Sequence, residues 1–288
     1  MSRIRFILVA GIAVTLSACD SSGGADGMAA QSPVDAIVHD APVQAVPGAE
    51  RGRVGTYEID ALVFTGPGTW DSEIPGIRDV LNQHGVSFRE VGSDELNNMS
   101  VDEIARFGII IWPGGSGGTE TASLSTETKA RLRQAVQERG VSWIGFCAGA
   151  FVAVAPAPAP GKDPSYGIGI VDGPELEYYY LEYEMANQLD VAMLEHTFAD
   201  GTKRDILWYG GPVTPGGPGS VVAKYPNGDA AISQVWAGRG LVMLVAGHPA
   251  VPASVAGELG VTDSDGADQD AAWKLIEATL AQRPLPAF

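Results

Sequence analysis

The sequence predicts an α/β fold built on a parallel, doubly wound sheet. Short apolar runs alternate with amphipathic helical stretches, and several of those runs end in glycine-rich loops. The 288 residues, 45% of them apolar, are enough for one large core. Residues 59–64 (IDALVF) form the first strand, followed by the loop Thr65-Gly66-Pro67-Gly68. Ile74, Ile77, Leu81 and His84 then fall at helical spacing, stopped by Gly85. Residues 86–91 alternate as a strand does, and residues 108–112 (GIIIW) read as a buried strand closed by Pro113-Gly114-Gly115. Residues 126–139 make a helix that Ser125 caps, Glu127 favours at its positive end and Gly140 terminates. Residues 141–146 (VSWIGF) are another buried strand, leading into Cys147-Ala148-Gly149-Ala150.

The second half differs. Residues 155–160 alternate alanine and proline, as a loop or lid would. Residues 206–209 form a short strand before Gly210-Gly211-Pro212. Residues 220–225, 230–236 and 241–246 read as a meander with turns at 226–229 and 237–240, and His248-Pro249 follows the last of them. Residues 271–282 form the final amphipathic helix.

The N-terminus reads as an address. Arg3 and Arg5 precede a mostly apolar run over residues 6–16, too short for a membrane-spanning helix and suited to a signal peptide. The run ends in Leu16-Ser17-Ala18-Cys19, which resembles a bacterial lipobox. The expectation is a signal peptide over 1–18, lipidation of Cys19, a flexible tether over 19–55 and one domain over 56–288. Location would then be extracytoplasmic, anchored to a membrane through lipid. Loss of residues 1–18 would take the formal charge from −17 to −19, because Arg3 and Arg5 leave with no acid. A field of that sign repels phosphate backbones and argues against nucleic acid as a partner. With only two cysteines, at 19 and 147, a disulfide scaffold and a four-cysteine zinc site are excluded.

Cys147 is the main chemical clue. A nucleophile on a sharp strand-to-helix turn projects beyond the carboxyl edge of the sheet, where open α/β sheets bind ligands. A helix N-terminus there stabilises a thiolate, the reactive form. The competing reading is a buried, inert cysteine. His248, also just past an apolar strand, is the natural base to take the thiol proton and return it to a leaving group. Gly114 and Gly115 could present backbone N–H groups to an oxyanion.

Four segments occur in series: Trp112-Pro113-Gly114-Gly115, Gly145-Phe146-Cys147-Ala148-Gly149-Ala150, Tyr209-Gly210-Gly211-Pro212 and Gly247-His248-Pro249. Together they resemble the N-terminal domain of biotin-protein ligases and its bacterial stand-alone relatives, a family similar to class I glutamine amidotransferases. The resemblance spans roughly residues 57 to 280. It implies a flavodoxin-like three-layer sandwich, a Cys147–His248 pair, and an oxyanion and substrate side formed by Gly114, Gly115, Ala148 and Tyr209. It implies no cofactor and no metal. In amidotransferases the histidine is followed by Pro and then the acid of the triad; here Ala250 stands in that place. Three readings follow: an acid from elsewhere substitutes, with Glu177, Glu182 and Glu184 as candidates; a dyad works alone; or the site is not catalytic. The functional expectation is accordingly a cysteine hydrolase or amidase on a small amide or peptide-like substrate, or a binding module that kept the pocket without turnover.

Lesser signals weigh less. Residues 114–118 match G-x-S-x-G, but Pro113 before them and a non-helical 119–124 after them fit a nucleophile elbow at Ser116 badly. The acidic, tyrosine-rich stretch 175–184 reads first as a solvated surface. Asp263, Asp265, Asp268 and Asp270 do not fit an EF-hand, because the glycine at 266 comes too early, and read as an acidic loop leading a helix.

Overall fold

The computed structural model describes residues 50–154, 167–173, 175–179, 191–266 and 268–288. In chain order the first half comprises β1 (Ile59–Phe64), α1 (Glu73–Gln83), β2 (Phe88–Val91), α2 (Ser93–Leu96), α3 (Val101–Ile104), β3 (Phe107–Trp112), α4 (Gly117–Ala122), α5 (Thr126–Gln137), β4 (Ser142–Phe146) and α6 (Ala148–Val154). The second comprises β5 (Val191–Phe198), β6 (Lys203–Tyr209), β7 (Val221–Lys224), β8 (Ala230–Ala237), β9 (Gly240–Val245), α7 (Ala253–Glu258) and α8 (Asp268–Leu280). All described strands join one sheet in the order β2-β1-β3-β4-β9-β8-β7-β5-β6. The first five run parallel and the remainder antiparallel. The 2-1-3-4 start, extended in parallel by β9, is the flavodoxin-like strand order.

The strand period of two sorts the core into two layers. From β3, Ile109 and Ile111 point to one face, beside Ala61 and Val63 of β1 and Ile144 and Phe146 of β4; α1 and α8 cover them with Ile77, Leu81, Leu275 and Ile276. Ile110 and Trp112 point the other way, with Leu62, Phe64 and Trp143, under Leu132 and Val136 of α5 and Ala150 and Val152 of α6. Every residue of β3 is buried, as a parallel strand covered on both faces requires. Each such Ile or Leu contributes about 1.5–3 kcal/mol by leaving water. The result is the predicted three-layer sandwich.

The local signals act as expected at α5, where the Ser125 hydroxyl accepts from Thr128 N–H, and at Gly85 and Gly140, which close their helices at φ +66° and +78°. The meander β7-β8-β9 is antiparallel, but the outer side of β9 pairs parallel with β4. That pairing places residues 242–245 beside the strand that leads into Cys147, which hairpin turns alone do not reveal. Two expectations are corrected. Residues 117–122 are helical, so α4 does follow the G-x-S-x-G stretch. The tether gives way to the domain before residue 55: Gly52 N–H donates to the Arg239 carbonyl, and the Arg53 guanidinium donates to the carbonyls of Ala105 and Phe107. Cys19, the signal segment and the alanine–proline stretch lie outside the described residues. Among the described residues no helix is long and apolar enough to cross a membrane.

Candidate active site

Cys147 lies between β4 and α6 with φ +44°, the left-handed region that side chains with a Cβ rarely enter. Holding it there costs on the order of 1–3 kcal/mol, and such strain gathers at functional positions. The neighbours supply the constraint. Cys147 N–H donates to the Val245 carbonyl of β9 at 2.7 Å, tying the turn to the next strand. A side chain on Gly145 would sit 2.2 Å from the Gly149 carbonyl oxygen, and one on Gly149 would sit 2.4 Å from that of Trp112. Glycine at both positions therefore lets α6 leave the sheet steeply across β4 and β3. The turn places the sulfur at the carboxyl edge of the parallel strands, and only 5% of the residue is exposed.

His248 follows β9, its own N–H donating to the Leu207 carbonyl of β6 at 2.8 Å. Gly114 follows β3 and lies between Cys147 and His248. A Cβ there would be 2.3 Å from His248 Cε1 and 3.2 Å from Cys147 Cβ, so no other residue fits. Trp70, in the loop after β1, sets its ring edge-on to His248 at 4.9 Å between centroids and to Tyr209 at 5.8 Å. The ends of β3, β4, β6 and β9 and the loop after β1 thus converge on one spot. Tyr209 contributes its carbonyl, which accepts from Cys147 Sγ at 3.6 Å, while its ring faces Trp70.

The residue that the sequence motifs do not reveal is Glu73. It opens α1, is fully buried, and brings Oε1 to within 3.1 Å of His248 Nδ1. Its other oxygen, Oε2, accepts from Gly114 N–H at 2.6 Å. This settles Nδ1 as the side of the imidazole held by an acid and leaves Nε2, which makes no hydrogen bond, for the thiol or a substrate. Burial by itself would lower the His248 pKa, but the Glu73 carboxylate and the Cys147 sulfur outweigh it and carry it up to about 10. The acid that holds His248 therefore comes from the start of α1, and not from the position after His248-Pro249. Ala250, two residues after His248, is buried in the apolar layer, and its carbonyl oxygen would be 1.8 Å from a Cβ on Gly76. Gly76 lets α1 pack against that loop closely enough for Glu73 to reach the imidazole.

Two expectations change with this geometry. Glu177 is exposed, its backbone bridged to the 212–213 segment, and takes no part in the site; Glu182 and Glu184 lie outside the described residues. Gly114 N–H is engaged by Glu73 and is not an oxyanion donor. Ala148 opens α6, so its N–H has no acceptor within the helix. Gly115 is exposed at φ +147°. Ser116 is half-buried with its hydroxyl on Thr119 Oγ1 at 3.0 Å, so α4 follows it without making it a nucleophile. Position in the sequence held a hint of Glu73: it stands just past the loop after β1, at the same sheet edge. Nothing in its immediate neighbours marks it as an acid of the site.

A second buried carboxyl, Glu120 of α4, accepts from Trp112 Nε1 at 2.8 Å. Burial pushes its pKa up to about 8, opposed by the indole and aided by the charge of Glu73. Its folded pKa lies above the ordinary value, so the stability it contributes is full below about pH 4.5 and is lost as pH rises through about 8. Glu120→Gln keeps an acceptor for Trp112 and removes the titration. We expect thermal melts of the two proteins to coincide near pH 4.5. At pH 9 the variant should be more stable by on the order of 1–3 kcal/mol, a rise of several degrees. A variant that is less stable at both ends would show that Glu120 is needed as an acid.

The fold and the site together define a flavodoxin-like α/β sandwich carrying a cysteine elbow, a histidine and a buried acid at its carboxyl edge. No family model and no curated protein matches the chain. Among solved structures it is similar to a glutamine amidotransferase, with a TM-score of 0.48, 16% identity, and coverage of 75% of this chain and 98% of that one. A protein assigned to GMP synthase in Thermoplasma acidophilum gives 0.46 and 11%, covering 79% and 97%. DJ-1β of Drosophila melanogaster gives 0.25 and 22%, over 32% of this chain and 56% of that one. These are likenesses of outline; the likeness to biotin-protein ligases rests on the sequence motifs alone.

Proposed function

We propose that the protein is a cysteine hydrolase or amidase acting on a small amide or peptide-like substrate, with Cys147, His248 and Glu73 as its triad. The observation that carries this reading is the Glu73–His248 contact, buried on both sides, beside a cysteine held at a strained elbow. In the first step the Cys147 sulfur attacks the carbonyl carbon, and the oxyanion is met by the N–H groups of Ala148 and Gly115. His248, holding the thiol proton, passes it to the nitrogen as the C–N bond breaks, leaving a thioester and a free amine. Water then attacks the thioester, gives a proton to His248, and the acid departs as the sulfur is reprotonated. Glu73 fixes the tautomer and stabilises the imidazolium throughout. The binding-module reading drew on Ala250 in place of an acid, and Glu73 removes that motive.

The motif series supports kinship with the stand-alone relatives of the biotin-ligase N-terminal domain, without implying ligation. The Leu16-Ser17-Ala18-Cys19 motif supports lipid anchoring outside the cytoplasm, so the substrate would be met there. Soluble protein from Asp20 onward, wild type and His248→Ala, tests the chemistry. Iodoacetamide should label Cys147 rapidly at neutral pH and at least tenfold more slowly without His248, read by intact mass. Slow labelling indifferent to His248 would sink the catalytic pair. Rapid, His248-dependent labelling would justify screening amides for release of amine.

A further inference from the structure

We propose that Glu120 is a positioning residue of the same site, a second acid that has to keep its proton while the site works. Neutral, it leaves Glu73 as the one charged carboxyl beside His248 and sets no negative charge behind the Gly115 N–H that meets the oxyanion. The inference rests on the amidase reading above and adds a residue and a pH limit to it.

The geometry begins at the turn after β3, whose two glycines each meet a buried carboxyl. Gly114 N–H donates to Glu73 Oε2 at 2.6 Å. Gly115 lies against Glu120: a Cβ there would be 2.9 Å from Oε1 and 2.0 Å from the Gly68 carbonyl oxygen. Glu120 is fully buried behind this turn, while Gly115 itself is exposed. A substrate carbonyl on Gly115 N–H would therefore have the Glu120 carboxyl on the far side of one residue of backbone.

Hydrogen bonding sets which acid holds the proton. Both oxygens of Glu73 accept, from His248 Nδ1–H and from Gly114 N–H, and two donors favour the charged form. Glu120 accepts through Oε2 from Trp112 Nε1 at 2.8 Å, and its Oε1 has no partner. The indole cannot turn to serve both oxygens, since it is stacked on Phe64 at 3.8 Å and on Trp143 at 5.0 Å between centroids. A bare oxygen out of water disfavours the charged form. Helix α6, which packs on α4, carries no titratable side chain beyond Cys147 at its start, and Glu73 of α1 adds like charge. The two carboxyls are thus divided as in an acid–base site, one charged and one neutral. Glu120 ionises as pH rises through about 8. The new charge then opposes the oxyanion and the charge of Glu73, so acyl transfer is lost on the alkaline side although rising pH favours thiolates.

Two reagents separate this inference from the reading it rests on. Iodoacetamide alkylates sulfur without an oxyanion. p-Nitrophenyl acetate acylates it through one, releasing p-nitrophenolate, with Cys147→Ala as the blank. The full-length protein in detergent is followed with both from about pH 6.5 to 9.5, a range that brackets the Glu120 value of about 8. Acylation should fall relative to alkylation by about tenfold or more across the upper half of that range. In isotope-labelled protein the Trp112 indole N–H, identified among the six tryptophans by Trp112→Phe, should shift with the same midpoint. In Glu120→Gln the ratio of the two rates should no longer change with pH, whatever its value near neutrality. The proposal is overturned by wild-type acylation that tracks alkylation, by a fall that survives in Glu120→Gln, or by an indole resonance that stays still through the fall. The two wild-type measurements give the answer even where Glu120→Gln fails to fold. Release of p-nitrophenolate no faster than from Cys147→Ala at any pH would instead remove the amidase reading, and this inference with it.

Discussion

Glu73→Gln should lower the rate of Cys147 alkylation, and of any amide turnover, by about 10²–10⁴-fold while leaving the fold in place. The argument is one of hydrogen-bond direction. Glu73 accepts from two donors, His248 Nδ1–H through Oε1 and Gly114 N–H through Oε2. A glutamine offers one accepting oxygen and one NH₂ group. If the oxygen stays with Gly114, the NH₂ faces His248 and forces Nδ1 to accept. The ring proton then sits on Nε2, and the imidazole can no longer take a proton from the thiol. The same change removes the carboxylate that helps carry His248 up to about 10. That has a sign. A histidine whose folded pKa is raised contributes stability below about pH 6.5, and this is lost as pH rises through about 10. Melts between those limits should therefore fall more steeply for wild type than for Glu73→Gln. A variant that labels at the wild-type rate, with an unchanged circular dichroism spectrum, would remove Glu73 from the mechanism.

The sheet and the Cys147 elbow were legible because they obey local rules. IDALVF, GIIIW and VSWIGF are apolar runs of strand length, each followed by glycine or small residues that a turn at the sheet edge requires. Cys147 stood out through those neighbours. Glu73 did not, since it reaches His248 across 175 positions of sequence and its own surroundings, Trp70-Asp71-Ser72, resemble an ordinary helix start. What connects them is the parallel order of β1, β3, β4 and β9, a long-range property that no window of residues contains. The same holds for Asp205, an ordinary strand residue whose carboxylate accepts from the N–H and hydroxyl of Ser264, 59 positions away. β5, with a half-exposed alternating face, passes as coil because its apolar residues are interrupted by Glu195 and His196. Gly114 shows the converse limit: its motif was readable, but the partner of its N–H was not.

The second large effect is expected at Ala250, where placing an acid should harm the protein instead of improving it. Ala250→Glu places a carboxylate where the residue is now fully buried in the apolar layer beneath α1. The backbone there is pressed against Gly76, whose missing Cβ would otherwise meet the Ala250 carbonyl oxygen. Glu73 already occupies His248 Nδ1, so the new charge finds no donor at that nitrogen and adds like-charge repulsion. An unpaired buried charge of this kind costs about 3–5 kcal/mol, and the melting temperature should fall by roughly 6–20 °C. Adding Glu73→Gln to the same chain tests whether the two positions are interchangeable. Packing says that they are not. The longer side chain would have to push α1 away from the sheet, and with it the Ile77 and Leu81 contacts that hold the layer together. The double variant should label Cys147 no faster than Glu73→Gln alone. Recovery of rapid labelling would mean that His248 accepts an acid from either direction, and that the close contact of α1 with the 248–250 loop does not dictate which one serves.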